Sequence, residues 1–269
     1  MTAVDYRGQL TVITGASAGL GVEFARQLAR RGSDLVLVAR RADRLRALAD
    51  ELARAHGVAV HPVAFDLARA DAGEALAAVL AADGLTPTSL VNNAGFGSWG
   101  AFHLADPEKL RKEIALDVAA VADLSRAFLP GLRAAGRGVL INVASLAAYQ
   151  GTPKMAAYGA AKAFVLSLSE ALWVESRGTG LKVIALSPGT TRTEFFDVAG
   201  SEDAAGGQPL ADPADVVATA LRALDRRNPP PHVVAGLRNR LMTGAGRHLL
   251  TRATATRALA RISGTSAGL

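Results

Sequence analysis

The chain has 269 residues, half of them hydrophobic, and it contains no cysteine. This length fits one large globular domain, and the absence of cysteine excludes disulfides and thiolate chemistry. The net charge is +6, but eight arginines after Asp225 contribute +8 with no acidic residue among them, which leaves −2 for the rest of the chain. The basic charge therefore belongs to the C-terminal segment, which lacks the interleaved aromatic residues of a nucleic-acid site, and we expect no nucleic-acid partner.

The first residues, MTAVDYRGQL, are polar and do not form the apolar stretch of a signal peptide. No uninterrupted apolar run approaches the roughly 18 to 20 residues that cross a bilayer. We therefore expect a soluble, non-secreted, cytoplasmic protein. We predict no metal site.

Short runs rich in Val, Ile and Leu alternate with longer Ala/Leu/Arg stretches of helical character. The predicted strands are 10–14, 35–39, 58–65, 90–94, 139–145 and 181–187, and the clearest predicted helices are 21–32 and 41–57, the second ending at a capping Gly57. Such alternation predicts an α/β fold in which helices cover both faces of a doubly wound parallel sheet of about seven strands, of the Rossmann type. We expect one domain over 1–235 and a basic helical extension over 236–269.

The first strand runs into TGASAGLG, which contains Gly15, Gly19 and Gly21. At the end of a first strand and the start of a helix, glycines let the backbone approach a pyrophosphate, and the helix N-terminus offers free N–H groups. This context predicts a dinucleotide site.

The second strand ends in Ala39, Arg40 and Arg41, where an NAD site usually carries an acidic residue. Guanidinium groups suit the 2′-phosphate of NADP. The sequence therefore favours NADP(H) over NAD(H). The alternative is that these arginines only begin a solvated helix.

The segment YGAAK places Tyr158 and Lys162 four residues apart, on one face of a helix. An ammonium about 4 Å from a phenol, at an effective dielectric near 20, favours the phenolate by roughly 4 kcal/mol. A general acid/base is one interpretation of the pair. The alternative is a packed tyrosine beside a lysine that reaches to solvent.

Four motifs occur in one order: TGxxxGxG, NNAG at 92–95, a serine thirteen residues before YxxxK, and PGTTRT at 188–193. Together they resemble the short-chain dehydrogenase/reductase family over roughly residues 8–225. The resemblance implies an oxidoreductase that moves a hydride between NADP(H) and a carbonyl or alcohol substrate. It implies that Tyr158 is the general acid/base, that Lys162 lowers the pKa of Tyr158 and binds the nicotinamide ribose, and that Ser145 holds the substrate oxygen.

The resemblance also implies a set of cofactor contacts. They include residues of the glycine loop and of the end of the second strand, and residues beside the adenine, the ribose groups and the carboxamide of the cofactor. These residues are Gly15, Ser17, Ala18, Gly19, Leu20, Gly21, Arg40, Arg41, Asp66, Leu67, Asn93, Ala94, Gly95, Tyr158, Lys162, Pro188, Gly189, Thr191 and Thr193. Structural alternatives are that Asn93 bridges two strands, that Asp66 caps the following helix, and that Ser145 is a turn residue.

The chain departs from the family at Asp117, which aligns with a fourth catalytic position that is normally asparagine. In the family this position acts largely through a backbone carbonyl at a helix kink, and an aspartate keeps that carbonyl. A carboxylate near Lys162 would stabilise the ammonium and oppose phenolate formation at Tyr158. We expect an active enzyme with an altered pH dependence.

Aromatic residues near the strand ends predict an apolar substrate cleft, with Phe96, Trp99, Tyr149, Phe195 and Phe196 as candidates. The expected substrate is a small-molecule carbonyl or alcohol of apolar character. Family members are usually homodimers or homotetramers, and the C-terminal extension is expected to pack on its own subunit or a neighbour, with peripheral membrane contact as the alternative. The rival function is a catalytically silent dinucleotide-binding sensor or scaffold.

Overall fold

The computed structural model describes residues 4–200, 209–249 and 251–262, with no side-chain description for 245–249, 252, 261 and 262. Seven parallel strands form one sheet in the order β3-β2-β1-β4-β5-β6-β7. The strands are β1 Leu10–Thr14, β2 Asp34–Ala39, β3 Val60–Ala64, β4 Ser89–Asn92, β5 Val139–Val143, β6 Lys182–Ser187 and β7 His232–Val234. The predicted doubly wound parallel sheet is confirmed.

Helices connect the strands and follow the last one. They are α1 Gly19–Arg30, α2 Ala42–His56, α3 Ala72–Ala82, α4 Pro107–Ile114, α5 Ala120–Ala134, α6 Ala156–Glu175, α7 Phe195–Ala199, α8 Pro213–Leu224, α9 Leu237–Leu249 and α10 Arg252–Ile262. A π-helical turn, Ala115–Ala119, joins α4 to α5. Helix α2 ends as predicted, because Gly57 adopts the left-handed conformation with φ +66°.

The hydrophobic core lies on both faces of the sheet, because neighbouring strand residues point in opposite directions. On one face Ile13 packs with residues of α1, α2 and α8, such as Phe24 and Leu221. On the other face Val12 packs with residues of α3 and α5, such as Leu76 and Leu124. Because helices cover both faces of the sheet, the strands are continuous apolar runs in the sequence.

Several element boundaries differ from the sequence-based expectation. The sequence does not predict strand β7. Its three residues follow three prolines, and only Val234 among them is buried. Strand β3, Val60–Ala64, is shorter than the predicted run 58–65 and is a partly exposed edge strand, a position that accepts Pro62. Helix α5 continues one turn beyond Pro130, although a proline usually interrupts a helix, and the buried Leu132 anchors that turn in the core.

Some expectations fall outside the described residues. These are residues 201–208, in the segment after PGTTRT that the family resemblance implies to be a substrate loop, and the end of the C-terminal extension, 263–269. Within the described ranges, every helix is too short or too polar to cross a bilayer.

Candidate active site

A cleft of about 820 Å³ opens at the carboxyl ends of the strands, at the reversal of strand order between β1 and β4. Doubly wound sheets bind their ligands at this position. Most of the predicted cofactor contacts line it, namely Gly15, Ser17, Ala18, Gly19, Leu20, Arg40, Arg41, Asp66, Leu67, Asn93, Ala94, Gly95, Tyr158, Lys162, Pro188, Gly189 and Thr191. Ser145 lines it too, whereas Gly21, Thr193 and Asp117 are not among the lining residues.

The glycines after β1 are required by close backbone contacts. Gly15 and Gly19 have φ of +66° and +54°, which favour glycine. A Cβ at Gly21 would lie 2.2 Å from the Gly15 carbonyl oxygen, so Gly21 shapes the loop from behind the cleft. Helix α1 begins at Gly19, and the free N–H groups of its first turn are therefore available to an anion in the cleft.

Asn93 and Asp66 both have structural roles as well as positions in the cleft. The Asn93 amide donates to the Thr14 carbonyl oxygen at 2.9 Å, which ties the end of β4 to β1. Asp66 accepts a hydrogen bond from the Ala68 backbone N–H at 3.0 Å. It therefore caps a turn and not helix α3, which begins after Asp71.

The two arginines after β2 have different surroundings. Arg41 donates to the Ser17 hydroxyl at 3.1 Å and pairs with Glu194 at 2.8 Å. Arg44 pairs with the same carboxylate at 2.6 Å. Arg40 is exposed at the cleft and has no ion pair among the described residues. Arg40 is thus the free guanidinium of the predicted pair, while Arg41 is already bound by the chain itself.

Helix α6 presents Tyr158 and Lys162 to the cleft one turn apart, as predicted. The Lys162 ammonium lies 5.6 Å from the centre of the Tyr158 ring and donates to the Val143 carbonyl oxygen at 3.2 Å. Gly159 lets this helix approach the preceding segment, since a Cβ there would lie 2.9 Å from the Thr152 hydroxyl. Ser145 follows β5 and interacts with the Tyr158 hydroxyl.

Asp117 lies in the π-helical turn between α4 and α5 and is fully buried. Its Oδ2 atom lies 3.2 Å from the Lys162 ammonium, although the two are not aligned as a hydrogen bond. Its Oδ1 atom accepts from the Phe96 backbone N–H at 3.0 Å. A Cβ at Gly95 would lie 2.9 Å from Oδ1, so a glycine at this position makes room for the ion pair. The expected proximity of Asp117 to Lys162 is therefore present.

Burial raises the pKa of Tyr158, and the Lys162 ammonium and the Ser145 hydroxyl offset only part of this effect. The expectation that Lys162 lowers this pKa is correct for its own contribution, but the net direction is upward because desolvation is larger. Burial works to lower the pKa of Lys162, yet the charges of Asp117 and Tyr158 outweigh it and raise that pKa. Lys162 is therefore protonated in the resting site.

The outer part of the cleft is apolar. Four of the five predicted aromatic residues line it, namely Phe96, Trp99, Phe195 and Phe196. The fifth, Tyr149, is not a lining residue and its hydroxyl lies 3.2 Å from that of Ser187. The Phe195 and Tyr158 rings are 5.1 Å apart, which brings the apolar region next to the phenol.

Three residues near the cleft were not identified from the sequence. Glu194 joins the loop after β6 to α2, and Met242 of the C-terminal extension lines the cleft. Glu113 is fully buried one helical turn before Asp117. The spacing of Glu113 and Asp117 could have been recognised in the sequence, but long-range contacts such as those of Glu194 and Met242 leave no local pattern.

The fold and the cleft first define a class, the dinucleotide-binding oxidoreductases of the doubly wound type. A sequence profile described as short chain dehydrogenase matches residues 9–204. An uncharacterized oxidoreductase of Myxococcus xanthus is 39% identical over 195 residues, 72% of this chain and 76% of the relative. A sulfoacetaldehyde reductase of Chromohalobacter salexigens is 36% identical over 231 residues, 82% and 88% of the two chains.

The solved structure of a short-chain dehydrogenase from Sphingobium yanoikuyae in complex with NADPH superposes with a TM-score of 0.77 at 35% identity. The alignment covers 90% of this chain and 94% of that one. This chain belongs to the short-chain dehydrogenase/reductase family and is an oxidoreductase.

Proposed function

We propose that this chain is an NADP(H)-dependent oxidoreductase that transfers a hydride between nicotinamide and a carbonyl or alcohol substrate. The observation that carries the proposal is the placement of Ser145, Tyr158 and Lys162 on the same cleft as the glycine loop. When bound, the cofactor supplies or accepts the hydride. Tyr158 gives a proton to the carbonyl oxygen in reduction, or takes one from the alcohol in oxidation.

Ser145 donates a hydrogen bond to the same oxygen and stabilises the charge that develops there. Lys162 lowers the cost of the Tyr158 phenolate and binds the ribose hydroxyls. Asp117 holds Lys162 in position through their 3.2 Å contact. Ser145 thus acts on the substrate oxygen, Lys162 acts on the proton donor Tyr158 and on the cofactor ribose, and Asp117 acts on Lys162.

The glycine loop, including Gly21, forms the pyrophosphate site in this proposal. Asp66 and Leu67 contact adenine, residues 93–95 contact the adenosine ribose, and residues 188–193, with Thr191 and Thr193, surround the carboxamide. Arg40 binds the 2′-phosphate, because it lines this end of the cleft and has no ion pair among the described residues, whereas Arg41 is paired with Glu194. The preference for NADP(H) rests on Arg40 and on the absence of an acidic residue at the end of β2.

The substrate that suits the cleft is an apolar ketone or aldehyde, because Phe96, Trp99, Phe195 and Phe196 surround its outer part. We also propose that the chain is a cytoplasmic homodimer or homotetramer with its catalytic domain in 1–235. Light scattering of the purified full chain tests the assembly, and a monomer at micromolar concentration would contradict it.

The decisive experiment follows the absorbance of the reduced nicotinamide with NADPH and with NADH. The panel contains bulky apolar ketones and small anionic aldehydes, including sulfoacetaldehyde. Reduction of apolar ketones with NADPH, abolished in Tyr158→Phe without loss of NADPH binding, is the expected result. Cofactor binding with no turnover across the panel would instead support a catalytically silent sensor or scaffold.

A further inference from the structure

A second buried carboxyl group, that of Glu113, acts electrostatically on Tyr158 and Lys162 and has no part in the reaction proposed above. Glu113 is fully buried, and among the described residues neither of its carboxyl oxygens has a hydrogen-bond partner. Among the described residues, the Ser98 hydroxyl and Asp117 Oδ2 are also buried without a partner in hydrogen-bond geometry, although Ser98 is close enough to Glu113 to act on its pKa and Asp117 Oδ2 contacts Lys162. Buried polar groups in native proteins are rarely left unsatisfied, so this cluster is suited to proton exchange through ordered water.

The charges in this cluster do not balance if both carboxyls are ionised. Asp117 contacts the Lys162 ammonium, and Glu113 is close enough to act electrostatically on both. Lys109 also acts on Glu113, but it is partly exposed and its ammonium faces the Val198 carbonyl oxygen at 3.4 Å. Two buried carboxylates beside one buried ammonium would leave an unpaired negative charge, which is strongly unfavourable. One proton retained between the two carboxyls removes this cost.

We propose that Glu113 and Asp117 share one proton behind Lys162, and that Glu113 is a positioning residue that stores this proton for Tyr158. The inference rests on the proposed function, because it assigns Glu113 a step in that reaction. It also gives a physical reason for an aspartate at position 117, since an asparagine there could not share a proton in this way.

In reduction, the hydride adds to the carbonyl carbon and the Tyr158 O–H bond breaks as its proton moves to the carbonyl oxygen. The phenolate then takes a proton from the Lys162 ammonium, and Lys162 recovers one from the carboxyl pair. The pair is left with one additional negative charge until solvent returns the proton. Oxidation is the reverse sequence and begins with both carboxyls ionised. The pair takes a proton from Lys162, Lys162 takes one from Tyr158, and the phenolate then takes the alcohol proton as the hydride leaves.

The electrostatics of the groups around Glu113 agree with this assignment. Burial raises the pKa of Glu113, the Ser98 hydroxyl opposes the rise, and the Asp117 charge adds to it. Burial also raises the pKa of Asp117, with Lys162 as the main opposing group. The carboxyls of Asp117 and Glu113 in turn raise the pKa of Tyr158. A proton on the pair therefore favours ionisation of the phenol.

Infrared spectroscopy of the full-length protein without substrate tests the shared proton directly. At neutral pH we expect the carbonyl stretch of a protonated carboxyl, sensitive to exchange into D₂O. Both Glu113→Gln and Asp117→Asn should remove it, because either change leaves one carboxylate paired with one ammonium. Absence of the band in the unaltered protein, or its persistence in Asp117→Asn, would overturn the shared proton.

Kinetics test the role of the stored proton. In Glu113→Gln we expect kcat for reduction to fall about tenfold with little change in KM, a smaller loss than the roughly 10²–10⁴-fold that a direct general acid contributes. The difference in kcat between Glu113→Gln and the unaltered protein should be largest at low pH. It should vanish as pH rises through the raised pKa of the pair, because the unaltered protein then also lacks the proton. The matched control is Glu108→Gln, an exposed glutamate on the same helix.

An unchanged pH profile in Glu113→Gln would overturn the kinetic role even if the infrared band is present. Failure of every substrate would count against the proposed function alone, because the infrared measurement needs no turnover.

Discussion

At the scale of residues, Lys162 interacts with two acidic groups, the Asp117 carboxylate and the Tyr158 phenol. These two interactions determine the chemistry of the site. The Asp117 contact keeps Lys162 protonated, while the Asp117 charge raises the pKa of Tyr158. The same carboxylate thus supports the cation and opposes the phenolate. Its net effect on the reaction appears in the pH dependence.

Asp117→Asn should lower the pKa of Tyr158, because the carboxylate that remains, Glu113, raises this pKa less than Asp117 does. For alcohol oxidation, which needs Tyr158 as a base, kcat/KM should therefore reach its plateau at lower pH than in the unaltered enzyme. A pH series of kcat/KM for both proteins measures this shift. Identical activity and identical profiles would show that the carboxylate has no catalytic role.

Glu113 should make folding stability depend on pH. Its pKa is raised above the ordinary value of 4.5, so the folded state holds a proton that the unfolded state releases. Stability should therefore decrease as pH rises from about 4.5 towards the raised pKa. In Glu113→Gln the decrease should be smaller, whereas Glu108→Gln should follow the unaltered protein in thermal unfolding at several pH values. A curve for Glu113→Gln that parallels the unaltered protein would contradict the raised pKa.

At the scale of elements, a single carboxylate joins two segments that both line the cleft. Glu194 precedes α7 and binds Arg41 and Arg44 at the start of α2. All three side chains are partly exposed, so the ion pairs contribute only about 0–1 kcal/mol each to stability. Their greater effect is to occupy guanidinium groups close to the proposed 2′-phosphate site.

Glu194→Gln should therefore strengthen NADPH binding by about threefold to tenfold, since it frees Arg41 for the phosphate. NADH lacks that phosphate, and its Kd should change little. Fluorescence titration with both cofactors measures the difference. Arg40→Ala is the opposite control, because it should weaken NADPH binding and leave NADH unaffected. Equal changes for the two cofactors in Glu194→Gln would show that Glu194 does not compete with the phosphate.

At the scale of the whole molecule, the C-terminal extension is part of the cleft and does not simply follow the sheet. Met242 of α9 and Leu259 of α10 line the cleft beside the aromatic residues. Asn239 of α9 approaches the PGTTRT turn, since a Cβ at Gly189 would lie 2.5 Å from its amide nitrogen. The extension thus forms part of the wall of the cleft.

Met242→Ala should raise KM for a bulky apolar ketone about fivefold, because it removes about 1 kcal/mol of apolar contact. Its effect on NADPH affinity should be small. Leu241→Ala is the matched control, because Leu241 is similarly exposed but is not a lining residue. Steady-state kinetics measure KM for the two variants. Equal KM values would show that Met242 does not contact the substrate.

The alternative that the C-terminal extension contacts a membrane is tested by deleting the extension. If the basic extension binds anionic vesicles, deletion of residues 236–269 should abolish co-sedimentation. Vesicle binding that persists after the deletion would assign the contact to another surface.

The sequence by itself determined the sheet, the glycine loop and the Tyr158–Lys162 pair, because each depends on local patterns: apolar runs, positive-φ glycines and helical spacing. It also indicated that Asp117 meets Lys162. It did not determine the partner of Asn92, which donates to Asn142 at 2.9 Å inside the core, because sequence spacing does not encode a contact between adjacent strands.

Only the tertiary structure decided which arginine is free, which residues of the extension reach the cleft, and that Glu113 is buried beside Asp117. The physical reason is that burial and ion pairing depend on segments far apart in the chain, such as the 153 residues between Arg41 and Glu194. Desolvation of Tyr158 likewise arises from the whole packed cleft, which is why its net pKa direction differs from that expected of a two-residue pair.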